Sequence, residues 1–344
     1  MVDARPEFGE NILSDTLNEL ENHVLVTMDE PWELLEPKLR NSPEKIIRNY
    51  DMKIETLQEI ENQDPPQASY IVGFGGGTSC DTAKYLSWKW NIPLIISPSI
   101  ISVDAWLCTS IAVRIDHKVR YIGNVQPERV LVDYSLIKAA PKYLNRAGIS
   151  DTISITTALG DWVIAREKFN EKFDQDVFDK AKQIAQTLMD ATDDIRVVNN
   201  NGIQALVKGY VDEVDLCEKW GNARPEEGGE HFLAYRLEEI TRDHYIHGNL
   251  IALNVLTVLK LQRDHAVFAI NEMKEFFTNV GISFSPVQQG IAKDDYISAL
   301  KTTHEYVIAE DLAKGIWSLN IDEIFDDEGE YSIESIADWI FNLK

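Results

Sequence analysis

The sequence predicts an α/β domain followed by an all-helical domain, and three observations carry that prediction. Short apolar runs alternate with helical stretches through roughly the first 140 residues. A glycine-rich turn lies between one of those runs and the helix after it. From Leu144 onward the β-type runs stop and long helical periodicities take over. A chain of 344 residues exceeds one ordinary core, so about two domains are expected. The division is expected to fall within residues 141–148, giving domains 1–146 and 147–344.

The elements follow in order. Residues 23–28 read as a strand and 33–39 as the helix after it. Residues 45–50 form a second, weaker strand. Residues 54–62 are helical, with Ile54, Leu57 and Ile60 on one face, and Pro65-Pro66 ends that helix. Residues 69–73 are a third strand and 81–90 its helix; strands follow at 93–97 and 129–133. Strands alternating with helices imply a parallel sheet with right-handed crossovers. In the second half, helices are expected at 151–164, 176–190, 201–216, 231–241, 250–263 and 266–280. Residues 199–202 and 221–229 read as loops, and the acidic stretch 326–330 as a solvated loop before a final helix.

Composition removes several function classes. There are 57 acidic against 33 basic residues, a net charge of −24. Such a surface repels nucleic acid and anionic membranes. No apolar run reaches the roughly 20 residues that span a bilayer. No basic segment followed by an apolar core opens the chain, so no signal peptide is expected and a cytoplasmic location is. Cys80, Cys108 and Cys217 are scattered, which suggests neither a disulfide framework nor a cysteine-based zinc site.

The glycine-rich turn is Gly75-Gly76-Gly77-Thr78-Ser79-Cys80-Asp81-Thr82-Ala83-Lys84, after the strand Ile71-Val72-Gly73. Glycines let a ligand approach the backbone closely. A helix start adds unpaired N–H groups and a partial positive charge. Together they make a seat for phosphate, and a strand before with a helix after is the context such a seat requires. The first domain is therefore expected to bind a nucleotide.

The spacing G-G-G-x-x-x-D-x-A-K differs from both G-x-G-x-x-G and the P-loop. It resembles the motif of glycerol dehydrogenases and sn-glycerol-1-phosphate dehydrogenases. These belong with the metal-dependent (iron-containing) alcohol dehydrogenases and the dehydroquinate synthases. Ser97-Pro98-Ser99-Ile100-Ile101-Ser102-Val103-Asp104-Ala105 resembles the family's P-T-x-x-S-x-D segment, with Ser99 in place of the threonine. Val130-Leu131-Val132-Asp133, Ala139-Ala140-Pro141 and Ala147-Gly148-Ile149-Ser150-Asp151 fall where the family has V-x-x-D, A-P and A-G-x-G-D. Thr157-Ala158-Leu159-Gly160-Asp161-Trp162 is similar to the T-A-x-x-D-W of the glycerol-1-phosphate branch. The resemblance covers roughly residues 20–265 and implies a dehydroquinate synthase-like fold, with a Rossmann-like, NAD(P)-binding first domain and a helical metal- and substrate-binding second one.

Among the histidines, His231 opens a helix after Gly228-Gly229-Glu230, and His247 precedes another in Ile246-His247-Gly248. Asp151 begins a third. One carboxylate and two imidazoles are the donor set of a catalytic metal with an open position. Spacing alone does not bring them together. The resemblance implies that Asp151, His231 and His247 are the metal ligands and, with Asp104, the catalytic set. The metal expected is one divalent ion, zinc first, with nickel or iron as alternatives. Three positions depart from the family pattern: Tyr235 replaces a second histidine, Asn249 the glutamate of H-G-E, and Ser150 the glycine before the aspartate. His23, His117, His265 and His304 read as structural or surface residues, and His244 as a loop residue.

Gly75, Gly76, Gly77, Thr78, Ser79, Asp81, Ser99 and Ser102 are the expected contacts of NAD or NADP. Asp29, after the first strand, is expected on the ribose, where it favours NAD over NADP. The resemblance implies a substrate contact or proton relay for Asp104, and ligands in the cleft between domains. The activity implied is the NAD(P)- and metal-dependent interconversion of a small polyol or polyol phosphate with its ketone, best matched by sn-glycerol-1-phosphate and dihydroxyacetone phosphate, in a homo-oligomer. One alternative is a cyclase of the dehydroquinate synthase type, using NAD transiently. Those enzymes continue from D-A into a G-G-K-T-type stretch, whereas Asp104-Ala105 leads into Trp106-Leu107-Cys108-Thr109-Ser110, without a lysine. The other is a non-catalytic nucleotide-binding homologue, suggested by Tyr235 and Asn249.

Overall fold

Parallel pairing follows from the alternation of strands and helices in the first part of the chain. The computed structural model describes residues 5–116 and 118–343, so His117 lies outside the described residues. The strands are β1 Glu7–Gly9, β2 His23–Thr27, β3 Lys45–Arg48, β4 Tyr70–Gly75, β5 Leu94–Pro98, β6 Ser110–Ile115, β7 Lys118–Asn124 and β8 Arg129–Asp133. Six of them form one sheet in the order β1-β8-β5-β4-β2-β3, with every pair parallel. β2, β4 and β5 are buried almost throughout, as expected of a sheet covered on both faces. One cover is Leu13 and Leu17 of the helix Ile12–Glu19, with Leu35 and Leu136, packed on Leu25, Val72, Phe74, Ile95 and Leu131.

The chain divides into two compact units. One runs to Asn145 and takes in Val198–Ile203; the other comprises Arg146–Val197 and the residues from Gln204 onward. The second unit is helical. Its central helix, His247–Gln262, is buried at nearly every position, as a mostly apolar helix is, and the side-chain amide nitrogens of buried Asn254 and Gln262 are hydrogen-bonded.

Several elements differ from the sequence expectation. β1 and the helix Ile12–Glu19 were not expected; a strand of three residues is too short to show a period of two. The hairpin β6–β7 was not expected either, although Ile111 and Val113 are buried on alternate positions of β6. The helix expected at 33–39 begins at Asp29, directly after β2, with Pro31 tolerated in its first turn. The helix expected at 151–164 is two helices, Ile149–Ile153 and Ile155–Phe169, divided at Ser154. The Ser154 hydroxyl turns to the backbone carbonyls of Asp151 and Glu226.

Candidate metal centre and nucleotide turn

In the first unit, the direction of chain travel across the sheet reverses between β2 and β4. From β2 the chain moves out to β3, then returns past β2 to β4 and β5. Ligands of open α/β sheets bind beyond the carboxyl ends of the strands at such a switch point. Gly75 ends β4 there and Asp29 follows β2. The helix Gly77–Trp90 starts with Gly76 at its cap and no side-chain cap bond, so its first N–H groups face outward from the turn. The room is made by glycine: a Cβ at Gly75 would lie 2.3 Å from Ser79 Oγ. Ser79 is fully buried, and its hydroxyl has no hydrogen-bond partner among the described residues. Thr78 is half-buried beside it.

The segment after β5 lies over this turn. The Ser99 N–H donates to the Gly75 carbonyl at 2.9 Å. Ile100 and Val103 are the nearest neighbours of Gly76 and Gly77. Asn145, buried, accepts from the Ile101 N–H at 3.0 Å and donates to the Ile137 carbonyl at 2.9 Å, pinning the segment that carries Ser99 and Ser102. Asp104 is half-buried, and its Oδ2 accepts from the Cys108 thiol at 2.8 Å. Lys84, the last residue of the glycine motif, is placed by the fold rather than by local sequence. Its Nζ is buried and donates to the carbonyls of Ala105 at 2.8 Å, Cys108 at 3.1 Å and Ser110 at 2.6 Å. The same ammonium pairs with Asp81 at 2.5 Å. The D-x-A-K spacing thus builds a buried ion pair that holds the loop of Asp104. Burial pushes the Asp81 carboxyl above its ordinary range, against the pull of Lys84. Asp29 is exposed and accepts from Tyr50 Oη and Arg48 Nε, each at 2.6 Å; the tyrosine bond leads in holding its carboxyl low.

In the second unit, Asp151, His231 and His247 converge although His247 and Asp151 are 96 residues apart in the chain. One donor atom from each lies within 4.8 Å of the others. Asp151 Oδ1 stands 3.2 Å from His247 Nε2 and 3.5 Å from His231 Nε2. Two ligand atoms about 2.1 Å from one tetrahedral ion stand about 3.4 Å apart, so the set has the spacing of a metal's donors. His231 Nδ1 faces the Glu230 carboxylate at 2.8 Å and must carry the proton there. The Nε2 of His231 points at Asp151: the imidazolium directs a proton there, and the neutral ring directs a lone pair there, where a bound cation would sit between the two atoms. Burial opposes charge on both Asp151 and His231. The imidazoles nevertheless hold the Asp151 carboxyl well below its ordinary value, and the carboxylates hold His231 well above its own.

Local structure explains the glycines and the T-A-x-x-D-W segment. Gly229 N–H donates to Asp161 Oδ2 at 2.6 Å, and Asp161 Oδ1 accepts from Ile316 N–H and Gln262 Nε2, each at 2.9 Å. Trp317 Nε1 donates to the Gly229 carbonyl at 2.8 Å. Asp161 therefore braces the start of the helix Gly229–Thr241, which carries His231. Burial pushes its carboxyl up to about 6, despite the donors around it. Gly248, next to His247, meets the Ala147 backbone so closely that a Cβ would fall 1.8 Å from its carbonyl oxygen. Tyr235 stands with its ring 5.9 Å from that of His231 and donates to Glu227 at 2.8 Å. The Asn249 carbonyl accepts from Gln289 Nε2 at 3.2 Å. His244 is exposed and lies outside the cluster, and the Ser150 hydroxyl is buried without a partner among the described residues.

Residues 17–141 match the family model described as iron-containing alcohol dehydrogenase. The chain is 26% identical over 309 residues to the glycerol-1-phosphate dehydrogenase [NAD(P)+] of Thermoplasma volcanium, covering 86% of this chain and 87% of that one. The similarity to the family model thus lies in the first part of the chain, and the similarity to the glycerol-1-phosphate dehydrogenases runs over most of it. The enzyme of the same name from Methanosphaera stadtmanae is 28% identical over 250 residues, covering 73% of this chain and 70% of that one. Two solved structures share the fold. The iron-containing alcohol dehydrogenase of Corynebacterium glutamicum has a TM-score of 0.72 at 12% identity, covering 100% of this chain and 96% of that one. A probable glycerol dehydrogenase from Sinorhizobium meliloti has a TM-score of 0.68 at 19% identity, covering 98% and 96%. The fold is therefore that of the iron-containing alcohol dehydrogenases: a parallel α/β domain followed by a helical one. No helix among the described residues is long and apolar enough to cross a membrane.

Proposed function

We propose that this protein is an NAD(P)- and divalent-metal-dependent oxidoreductase acting on a small polyol phosphate and its ketone, with sn-glycerol-1-phosphate and dihydroxyacetone phosphate as the pair. The observation that carries the reading is the convergence of Asp151, His231 and His247 on one buried point. The names of the relatives support the substrate class, and the T-A-x-x-D-W segment supports the phosphorylated member of it. When bound, a divalent cation supplies Lewis-acid stabilisation of charge on the reacting oxygen, and a nicotinamide supplies or accepts the hydride.

The chain's own residues do the rest. Asp151, His231 and His247 hold the cation with one carboxylate and two imidazoles, the donor count of a catalytic site. Gly75, Gly76 and Gly77, with the N–H groups of Thr78 and Ser79, seat the pyrophosphate, and the Ser79 hydroxyl donates to it. Asp29 accepts from the ribose hydroxyls and repels a 2′-phosphate, which favours NAD. Ser99 and Ser102 line the cofactor from the segment that Asn145 pins. Asp81 acts through Lys84, which fixes the backbone around Asp104. Asp104 orients a substrate hydroxyl and carries its proton at the carboxylate, with Cys108 fixing Oδ2. The protein is proposed to work in the cytoplasm as a homo-oligomer, with zinc as the first candidate metal.

The test is the loss of nicotinamide absorbance when zinc-loaded protein meets dihydroxyacetone phosphate and NADH. The activity should vanish with a chelator and return with metal. In the reverse direction sn-glycerol-1-phosphate should react and its 3-phosphate enantiomer should not. Turnover of unphosphorylated dihydroxyacetone alone would overturn the phosphate assignment. No turnover of either ketone, with NADH or NADPH and a metal-loaded protein, would overturn the whole reading.

A further inference from the structure

Glu230 has no exposed surface and lies one residue from a metal-ligating candidate, yet it is not itself a ligand. Its Oε1 accepts from His231 Nδ1 at 2.8 Å and from the Gly228 N–H at 2.9 Å. Its Oε2 accepts from Thr157 Oγ1 at 2.5 Å. The Thr157 hydroxyl also lies 2.9 Å from the Ser154 carbonyl, but it has one proton, and a carboxylate is the stronger acceptor. Asn254 Nδ2 holds the backbone carbonyl of Glu230 at 3.0 Å, and Tyr296 in turn donates to Asn254 Oδ1 at 3.1 Å. A buried carboxylate is costly unless donors surround it, and this one is fixed from three sides.

We propose that Glu230 is a positioning residue of the metal centre, with Thr157 as its own support. The inference rests on the reading of Asp151, His231 and His247 as metal ligands. Glu230 holds the proton of His231 on Nδ1. That leaves the Nε2 lone pair directed at Asp151 and makes the imidazole a more basic donor. Glu230 also supplies the second negative charge of the site. Asp151 and Glu230 together balance a dication, whereas a monovalent ion would leave one buried negative charge uncompensated. Thr157, the first residue of the T-A-x-x-D-W segment, acquires a role through this contact, and so does the glutamate before His231.

A merely structural Glu230 would brace Gly228 and affect stability alone. Metal affinity separates the two roles. The dissociation constants of Zn²⁺ and Co²⁺ are measured by competition with a chromophoric chelator for wild type, Glu230→Gln and Thr157→Val, along with the visible spectrum of the Co²⁺ forms. Thermal unfolding without metal reports whether each variant is folded. The expected result is a weakening of roughly 10–100-fold for folded Glu230→Gln, a smaller loss of a few-fold for Thr157→Val, and an altered Co²⁺ band in both. Should Glu230→Gln not fold, Thr157→Val decides the matter, since it removes one donor and leaves the carboxylate in place. Folded Glu230→Gln with wild-type affinity would overturn the inference and leave the metal centre standing. So would Thr157→Val at wild-type affinity if it alone folds. Wild-type protein that takes up neither Zn²⁺ nor Co²⁺ would overturn the metal centre itself, and the inference with it.

Discussion

Replacing Gly248 with alanine tests how tightly the second unit holds His247. The added Cβ would lie 1.8 Å from the Ala147 carbonyl oxygen and 2.4 Å from its carbon. Carbon and oxygen in close contact stand about 3.3 Å apart, so the two segments must separate by about 1.5 Å. Both partners are backbone, and no rotamer change relieves the clash. The helix His247–Gln262 cannot shift freely, because Leu250 through Gln262 are all buried. Overpacking of this kind costs about 3 kcal/mol, at the upper end of the usual range. The displaced residue is the neighbour of His247, whose Nε2 stands 3.2 Å from Asp151 Oδ1. A movement of about 1 Å at a reacting site costs on the order of 100-fold in rate. Gly248→Ala is therefore expected to lower the unfolding free energy in urea by about 3 kcal/mol and to weaken Zn²⁺ binding, with turnover falling about 100-fold. A variant within about 0.5 kcal/mol of wild type, with unchanged zinc affinity, would refute the reasoning.

Other perturbations reach different parts of the molecule. Asp161 has its carboxyl raised from 3.8 to about 6 by burial, so the folded state binds the extra proton between those values. Its contribution to stability is present below pH 3.8 and lost as pH rises through about 6, a change of about 3 kcal/mol. The stability difference between wild type and Asp161→Asn, followed by urea unfolding, should fall across that window; a difference independent of pH would count against it. Lys84→Met leaves Asp81 buried without its cation and should cost about 3–5 kcal/mol, read by the same urea titration. A loss below about 1 kcal/mol would mean that the pair contributes little. Asp29→Asn should weaken NADH binding on the order of tenfold while NADPH binding changes less, measured by fluorescence titration. Equal losses for both cofactors would remove Asp29 from the ribose.

Much of this was legible in the chain because it depends on neighbours in sequence. The alternation that makes β2, β4 and β5, the turn at Gly75-Gly76-Gly77 and the helix after it all follow from local periodicity and from glycine's freedom in φ/ψ. Short or context-dependent elements were not legible. β1 is three residues long, and β6–β7 depends on pairing across a turn. For the candidate metal centre, the residue types Asp151, His231 and His247 were readable through a resemblance, but nothing in their spacing brings them to one point. The tertiary structure alone decides that convergence, because it is set by the packing of helices distant in sequence. It alone also assigns Lys84 to the carbonyls of Ala105, Cys108 and Ser110, and Asp161 to the N–H groups of Gly229 and Ile316. It likewise turns Glu230 from a charged residue beside a histidine into the buried acceptor of that histidine's proton. Local sequence sets which conformations a segment prefers, whereas the partners of a buried charge are chosen by the fold that takes water away from it.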